Sequence, residues 1–438
     1  MNIVEIGLVL LALMAVLLCG GVWIAITLAI VGYAGLALFT TRDPGPNLFT
    51  AMWGSSASWE LAALPLFIWM GEILFRTKLS EQMFEGLAPW LNRIPGRLLH
   101  VNVLGCGVFG SVSGSSAATC ATIAKVALPE LMRRGYDEGI AIGSLATAGT
   151  LGILIPPSII MVVYAVAADV SIIRVFLAGF IPAAILMALF SGYIAAWSLI
   201  RSEKMPAAEP AVSFREKVRR SGNLIPVTLL IVFIVWVLLA GWATATECAA
   251  YGVLGSLAIA AWSRMLTWQT FWDGLLGTMR LSCMIMFILA GASFLKLAMA
   301  FTGVPRELAM WVNGLGLSPF ELIAILTLFY IVLGTALDGI SMIVLTAAVV
   351  LPMVQQAGFD LVWFGIFVIL LVEIAEVTPP VGFNLFVLQA MSGRDSMLIA
   401  RSALPFFLML VVCIAIITLW PQTVTWLPDL VMGGTAAQ

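Results

Sequence analysis

Long apolar segments separated by short polar ones run along the whole chain. Most are close to twenty residues, the length of a helix that crosses a hydrocarbon core about 30 Å thick. The pattern predicts spans at 3–19, 22–40, 61–76, 138–166, 175–200, 223–241, 246–263, 283–301, 361–391 and 402–420. We therefore expect an all-α integral membrane protein with about ten transmembrane spans.

Two further apolar segments, 101–132 and 319–356, are interrupted midway by small and polar residues. The first interruption covers 110–116 and the second covers 334–339. Each half of these segments is short for a complete crossing. Both segments therefore predict re-entrant helical hairpins, which enter the membrane and return to the same side.

The composition agrees with a membrane protein. Of 438 residues, 62% are hydrophobic and 10% are charged, whereas soluble domains carry about 25% charged residues. So few charges could not cover the apolar surface of a water-soluble globule, which argues against a cytosolic enzyme. The net charge of −2 also argues against a nucleic-acid binder.

The distribution of Lys and Arg predicts the orientation, because such residues accumulate in cytoplasmic loops. Segment 201–220 carries six of them and is placed in the cytoplasm; counting spans outward then puts 16 of the 21 on that side. Both termini are predicted to be periplasmic. The amphipathic segments 77–100 and 265–281 are typical of helices that lie at the membrane interface.

The two halves of the chain match without gaps at one constant sequence offset. Most of the matched positions are prolines or glycines, where the backbone has special requirements. The matches are Leu128-Pro129 with Leu351-Pro352, Gly135 with Gly358, Asp137 with Asp360, Pro156-Pro157 with Pro379-Pro380 and Pro182 with Pro405. The predicted topology runs the halves in opposite directions. Inverted repeats of this kind are typical of secondary transporters, with substrate sites near the membrane midplane.

The matched proline pairs predict helix breaks inside spans 138–166 and 361–391. Broken helices leave main-chain carbonyls without partners, and carbonyls with Ser and Thr hydroxyls are hard oxygen ligands suited to Na⁺. We expect two Na⁺ sites, one per repeat. The first would use Ser113, Ser116, Gly152, Ile155 and Pro157. The second would use Gly334, Asp338, Ala375 and Thr378.

A substrate site is expected between the two cation sites. The half-helix N-termini that follow each break present positive dipole ends, which favour a carboxylate. The expected substrate contacts are Ser115, Ser116, Thr119, Pro157, Asp338, Gly339 and Asn384.

Three carboxylates fall inside the predicted membrane region, where charge is costly and usually functional. Three roles are open for Asp338: a cation ligand, a proton carrier, or the cap of the second hairpin helix. Glu373 and Glu376 have the alternative of pairing with Lys125 or Lys296.

These motifs resemble the large membrane subunit of tripartite ATP-independent periplasmic (TRAP) transporters. The resemblance rests on 110–119 with Pro129-Glu130, on 149–158, on 334–341 with Leu351-Pro352, and on 378–386. It implies an elevator-type fold in the bacterial inner membrane and Na⁺-coupled import of an organic acid such as a C4-dicarboxylate or sialic acid. It also implies two partners, a small four-helix membrane subunit and a periplasmic substrate-binding protein. Glu376 departs from the resemblance, which predicts an apolar residue there.

The resemblance suggests a division of the chain. We expect N-terminal scaffold helices at 1–60, repeat 1 at 61–200, a cytoplasmic linker with scaffold helices at 201–264, repeat 2 at 265–420 and a tail at 421–438. The hairpins and broken spans would move against a fixed scaffold that includes 175–200, 223–241, 246–263 and 402–420.

Two alternatives remain from the sequence. A stand-alone dicarboxylate symporter or exchanger of related fold would need no periplasmic partner. An intramembrane enzyme would use Asp338, although the chain has a single His and neither an HExxH nor a GxSxG motif.

Overall fold

The computed structural model describes residues 3–77, 79–207, 213–335, 337–379 and 382–433, and every regular element in that part of the chain is helical. The first half contains α1 (Ile3–Cys19), α2 (Ile24–Phe39), α3 (Pro44–Ser56), α4 (Ala63–Phe75), α5 (Leu79–Leu91), α6 (Leu99–Ser113), α7 (Ser116–Arg133), α8 (Glu138–Ala148), α9 (Leu151–Leu154), α10 (Ile159–Ala168), α11 (Ile172–Ile200) and α12 (Phe214–Ser221).

Most of these elements recur in the same order in the second half, where α15 covers the positions that match both α3 and α4. It contains α13 (Ile225–Leu239), α14 (Ala245–Trp262), α15 (Trp268–Thr302), α16 (Val304–Gly314), α17 (Pro319–Gly334), α18 (Gly339–Gln356), α19 (Leu361–Glu376), α20 (Phe383–Ser392), α21 (Ser396–Leu419) and α22 (Gln422–Met432). The offset read from the sequence carries both ends of α7 onto the two ends of α18. The repeat therefore holds at the level of individual helices.

Matched residues start the matched helices. The side chain of Asp137 accepts a hydrogen bond from the Ile140 amide at 3.2 Å and caps α8. Asp360, its match in the second repeat, caps α19 by accepting from the Trp363 amide at 2.7 Å. An N-cap carboxylate satisfies a backbone donor that the helix itself cannot, so the repeated Asp explains the repeated helix start.

Both predicted helix breaks are present. α9 ends at Leu154 and α10 begins at Ile159, with a bend of 46° between the two segments. In the second repeat α19 ends at Glu376 and α20 begins only at Phe383; Pro380, part of the predicted break, lies outside the described residues. The two hairpins, α6–α7 and α17–α18, are also present as pairs of helices with short connections.

The two repeats pack against each other through equivalent elements. α7 packs against α20 and α18 packs against α10, so each hairpin contacts the second half of the other repeat's broken helix. In the same way α8 packs against α21, and α19 packs against α11. Reciprocal contacts of this kind are those of two halves related by a two-fold axis.

The same packing shows the neighbours of the helices that were expected to form the scaffold. α11 and α21, which contain 175–200 and 402–420, pack against each other and against the broken helices. α14 instead packs against α4 and α13, and α15 packs against α2 and α4. The sequence placed 175–200 and 402–420 in a fixed scaffold with 223–241 and 246–263, and this division into fixed and mobile parts stays a prediction. The periodicity of an apolar helix gives its length but not its neighbours.

One correction concerns 265–281, which was expected to form an interface helix of its own. It is instead the first part of α15, a continuous helix of 35 residues. At 1.5 Å per residue α15 is about 52 Å long, well beyond the hydrocarbon thickness. The short amphipathic element that corresponds to α5 is α16.

Five described helices are long and apolar enough to cross a membrane, and the number rises to eight if each bent pair counts as one span. An all-helical chain with several apolar spans confirms the integral membrane class. The figure of about ten spans remains a prediction.

Ion pairs at the surface join loops that the charge pattern assigns to one side. Arg394 reaches Glu138 with two bonds of 2.7 and 2.9 Å, and Lys204 reaches Asp137 at 2.9 Å. Partial burial, the largest single effect, raises the pKa of the Asp137 carboxyl, but the bond and charge of Lys204 and the backbone amides of Ile140 and Gly139 together outweigh burial and lower this pKa. These loops were all predicted to be cytoplasmic.

Candidate cation and substrate site

The tip of the first hairpin is a tight turn built on Gly114. Its φ of +59° is in the left-handed region, and a Cβ there would lie 3.2 Å from the Ile159 amide nitrogen. Ser115 caps α7 by accepting from the Ala118 amide at 3.4 Å. Only glycine combines this conformation with so close an approach to α10.

The tip lies directly against the first helix break. A Cβ added to Gly110 would lie 2.5 Å from Gly152 Cα, so the two backbones are in contact. A Cβ on Gly152 would lie 2.7 Å from Thr119 Oγ1 and 3.1 Å from the Ser115 carbonyl oxygen. The Ser113 and Thr119 hydroxyls are 2.6 Å apart. The structure thus places the Ser113 hydroxyl of the predicted first cation site near Gly152, together with oxygens of Ser115 and Thr119, which were predicted to contact substrate.

Ser158 is a residue of this region that the ligand predictions missed. Its hydroxyl is buried and donates to the Ile153 carbonyl at 2.7 Å, which satisfies one of the carbonyls freed by the break. The sequence could have indicated Ser158, because a Ser directly after a Pro-Pro pair is a typical first residue of the next helix segment. The predicted ligand and substrate residue Pro157 borders a small apolar crevice shared with Phe176 and Val235.

The second hairpin has the same cap in a charged form. Asp338, the residue that the repeat aligns with Ser115, caps α18 by accepting from the amide of Ser341 at 3.2 Å and from its hydroxyl. Of the three roles left open for Asp338, helix capping is therefore present. Unlike the buried parts of the first tip, the Asp338 side chain is exposed. The two tips share one architecture but differ by one negative charge.

Gly334 and Ala375 of the predicted second site are in direct contact, since a Cβ on Gly334 would overlap that of Ala375. Thr378 folds back over the end of α19: its hydroxyl donates to the Ile374 carbonyl at 2.6 Å. The Gly382 amide donates to the Thr378 carbonyl at 3.0 Å. Hairpin and break are thus joined in the second repeat as in the first.

Asn384 bridges the two repeats. It is fully buried, its side-chain amide donates to the Ala146 carbonyl at 2.9 Å, and its oxygen accepts from the Ser116 hydroxyl at 3.0 Å. Two residues predicted to contact substrate are therefore bonded to each other. Another predicted substrate contact, Gly339, packs in the reciprocal position, where a Cβ would lie 3.1 Å from Ile160.

A second bridge joins two residues that occupy the same position in each repeat. The hydroxyl of Thr150 lies 3.1 Å from Glu373 Oε2, and the sequence separation of 223 between them equals the repeat offset. A bond between equivalent residues places the pseudo-two-fold axis between them. The repeat offset matches Thr150 with Glu373 in the sequence, but it does not predict that the two side chains are in contact.

The buried carboxylates have no cationic residue as partner in the described part of the chain. Glu373 is completely buried with Oε1 unbonded, and Glu376 Oε2 is also buried and unbonded. Lys125 and Lys296 are exposed, so the pairing considered from the sequence is not formed. Burying a carboxylate without a compensating charge is costly, so a carboxyl group in this position takes up either a proton or a cation.

Paired hairpins that face paired helix breaks, within a two-fold repeat of apolar helices, define an integral membrane transporter. A family model described as "Tripartite ATP-independent periplasmic transporter, DctM component" matches residues 11–423. The chain belongs to this family and is a large permease component of a TRAP transporter.

Two relatives illustrate the similarity. The chain is 32% identical over 404 residues to the C4-dicarboxylate TRAP transporter large permease protein DctM of Pseudomonas aeruginosa, covering 92% of this chain and 94% of that protein. It is 26% identical to the sialic acid TRAP transporter large permease protein SiaM of Vibrio cholerae, covering 95% and 97%.

The fold also resembles a solved structure. The crystal structure of the YdaH transporter of Alcanivorax borkumensis superimposes with a TM-score of 0.61 at 13% identity, over 91% of this chain and 98% of that one. At this identity the likeness shows the fold alone.

Proposed function

We propose that this chain imports an organic acid across the bacterial inner membrane by coupling its movement to Na⁺. The observation that carries the proposal is the contact of each hairpin tip with a helix break, at Gly110–Gly152 and at Gly334–Ala375. Two such junctions offer two sets of main-chain and hydroxyl oxygens, which are suitable ligands for Na⁺. Glu373 and Glu376, each with one buried and unbonded carboxyl oxygen, lie in the same helix as Ala375 and add further oxygen atoms near the second junction.

The proposed substrate is a carboxylate that lies between the tips. The N-termini of α7 and α18 begin at Ser116 and Gly339, and helix N-termini favour anions. The names of the relatives suggest a C4-dicarboxylate or sialic acid as cargo. Because Asn384 and Ser116 are bonded to each other, their proposed role is to hold the first tip in place beside the substrate.

The proposed movement is that of an elevator. The hairpins, broken helices, α11 and α21 form one packed unit and would move together. α13, α14 and α15, with α2 and α4, would remain fixed. The short helices α5 and α16 connect these groups in the two repeats and would act as levers.

Two partners complete the proposal: a small four-helix membrane subunit and a periplasmic substrate-binding protein. The family description itself names a tripartite, periplasmic system. Both termini are proposed to be periplasmic. The ion pair of Arg174 with Asp429, 2.8 Å apart, joins the start of α11 to the C-terminal helix and agrees with that side.

Transport in proteoliposomes tests the proposal. The chain would be reconstituted with its small subunit, and uptake of radiolabelled succinate and sialic acid would be followed with and without the cognate binding protein. We expect uptake of one acid that requires an inward Na⁺ gradient and the binding protein. Uptake that persists in choline chloride would contradict Na⁺ coupling.

The same experiment separates the alternatives. Uptake by this chain alone, without either partner, would favour the stand-alone symporter. Replacing Ser116 or Thr378 by Leu should abolish coupled uptake while the protein remains folded. Unchanged Na⁺ dependence in both variants would contradict the assigned cation sites.

A further inference from the structure

A basic crevice lies where the apolar helix α11 ends, beside α5 and α12. It encloses about 580 Å³ and is lined by Arg93, Arg97 and Lys217, with no acidic side chain among the described lining residues. Because α11 is long and apolar enough to be a membrane span, its end marks the membrane surface. The crevice therefore presents three positive charges at the depth of lipid headgroups.

The cations of this crevice are available to a ligand. Arg93 is exposed and has no hydrogen bond or ion pair within the described residues. Lys217 has its ammonium 5.4 Å from the centre of the Trp90 ring and no acidic partner in the same part of the chain. Arg97 donates one bond, to the Pro206 carbonyl, which anchors its guanidinium at the crevice wall.

The walls of the crevice are fixed by contacts between elements distant in sequence. The Trp90 indole donates to the Ser221 hydroxyl at 2.8 Å, and that hydroxyl donates to the Gly86 carbonyl at 3.0 Å. Trp90 also packs edge-on against Phe214, with ring centres 5.9 Å apart. These contacts dock α12 on α5, so the cations are held in place before any ligand arrives.

A neighbouring crevice shows that the excess of positive charge is local. It lies between α5 and α7 and has three acidic and three basic lining residues, Glu81, Glu85, Glu130, Arg133, Arg134 and Arg220. There Arg133 and Arg134 both pair with Glu130 at 2.6 Å. The two crevices share one side of the molecule, but only one lacks counter-charges.

We propose that the basic crevice binds the phosphodiester headgroup of an anionic phospholipid. The apolar rim selects a lipid over a soluble phosphate: Ile94 and Leu199 line the crevice and are 43% and 68% exposed, and Ile200 beside them is 79% exposed. Acyl chains can lie along this rim while the phosphate contacts the cations. A bound lipid would tie α5 and the linker helix α12 to the end of α11.

Native mass spectrometry of the delipidated full chain tests the proposal. Palmitoyl-oleoyl phosphatidylglycerol and palmitoyl-oleoyl phosphatidylcholine would be titrated separately. We expect tighter binding of phosphatidylglycerol. The double variant Arg93→Gln/Lys217→Gln should weaken it about thirtyfold, since each cation near a membrane surface contributes substantially to anionic lipid binding.

The matched control is Arg133→Gln/Arg220→Gln, which removes the same charge from the balanced crevice and should change binding less than about threefold. The charge-preserving Arg93→Lys should retain binding. Equal losses in the two double variants would overturn the proposal, as would equal affinity for the two lipids. Release of phosphatidylglycerol by excess inorganic phosphate would also overturn it, because the ligand would then be a soluble anion.

Discussion

The contact between Gly110 and Gly152 gives the sharpest test of the first cation site. In Gly110→Ala the new methyl would start 2.5 Å from Gly152 Cα and 2.8 Å from its amide nitrogen. Carbon atoms prefer separations of about 3.5–4.0 Å, so the hairpin and the break must move apart by about 1 Å. Both atoms belong to backbone, and no flexible side chain can absorb the shift.

A displacement of about 1 Å exceeds the tolerance of about 0.5 Å within which binding groups must be held. We therefore expect Gly110→Ala to raise the Na⁺ concentration for half-maximal uptake by about tenfold or more. The assay is initial uptake in proteoliposomes as a function of Na⁺, with thermal unfolding measured on the same preparation to establish folding.

The control comes from the same helix. Gly105 is also buried in α6, but a Cβ there would meet its nearest neighbour, Ile123, at 3.9 Å. Gly105→Ala should leave Na⁺ dependence unchanged and stabilise the helix by about 0.5–1 kcal/mol. An unchanged Na⁺ response in Gly110→Ala, or equal losses in both variants, would refute the reasoning.

Three further outcomes are expected. Asn384→Ala should lower the free energy of unfolding by about 1–3 kcal/mol in a thermal unfolding assay, because it leaves buried polar groups of both repeats unpaired. The control Asn47→Ala, which loses only a local bond at the start of α3, should change the free energy of unfolding little. Arg394→Ala should cost less than about 1 kcal/mol in the same assay, since its pair with Glu138 is exposed, and the cost should vanish at high salt. Asp338→Asn should keep the melting temperature, because Asn caps helices as well as Asp, but weaken Na⁺-dependent uptake; equal uptake would limit Asp338 to capping.

The breaks, hairpins and repeat could be predicted because their causes are local. Pro156-Pro157 removes backbone donors wherever it falls, and Gly114 permits a turn that other residues resist. The repeated caps Asp137 and Asp360 act on amides three residues away. Each of these features depends only on residues close together in the sequence, so it can be predicted without knowledge of the tertiary contacts.

The contacts between repeats could not be predicted in the same way. The bonds of Asn384 to Ser116 and of Thr150 to Glu373 join residues from opposite halves of the chain. Apolar periodicity says which segments are helices, but the hydrophobic effect is non-directional and does not select their neighbours. The packing of α11 and α21 against the broken helices was not predicted for this reason.

The most direct test of the central claim is a high-resolution structure of the reconstituted transporter determined in NaCl and again in choline chloride. The account predicts density for one ion between the Ser113–Ser116 turn and Gly152, and for a second near Gly334 and Ala375, both lost in choline. The account would be contradicted if the preparation in NaCl transported fully but showed no ion density at either the Gly110–Gly152 or the Gly334–Ala375 junction.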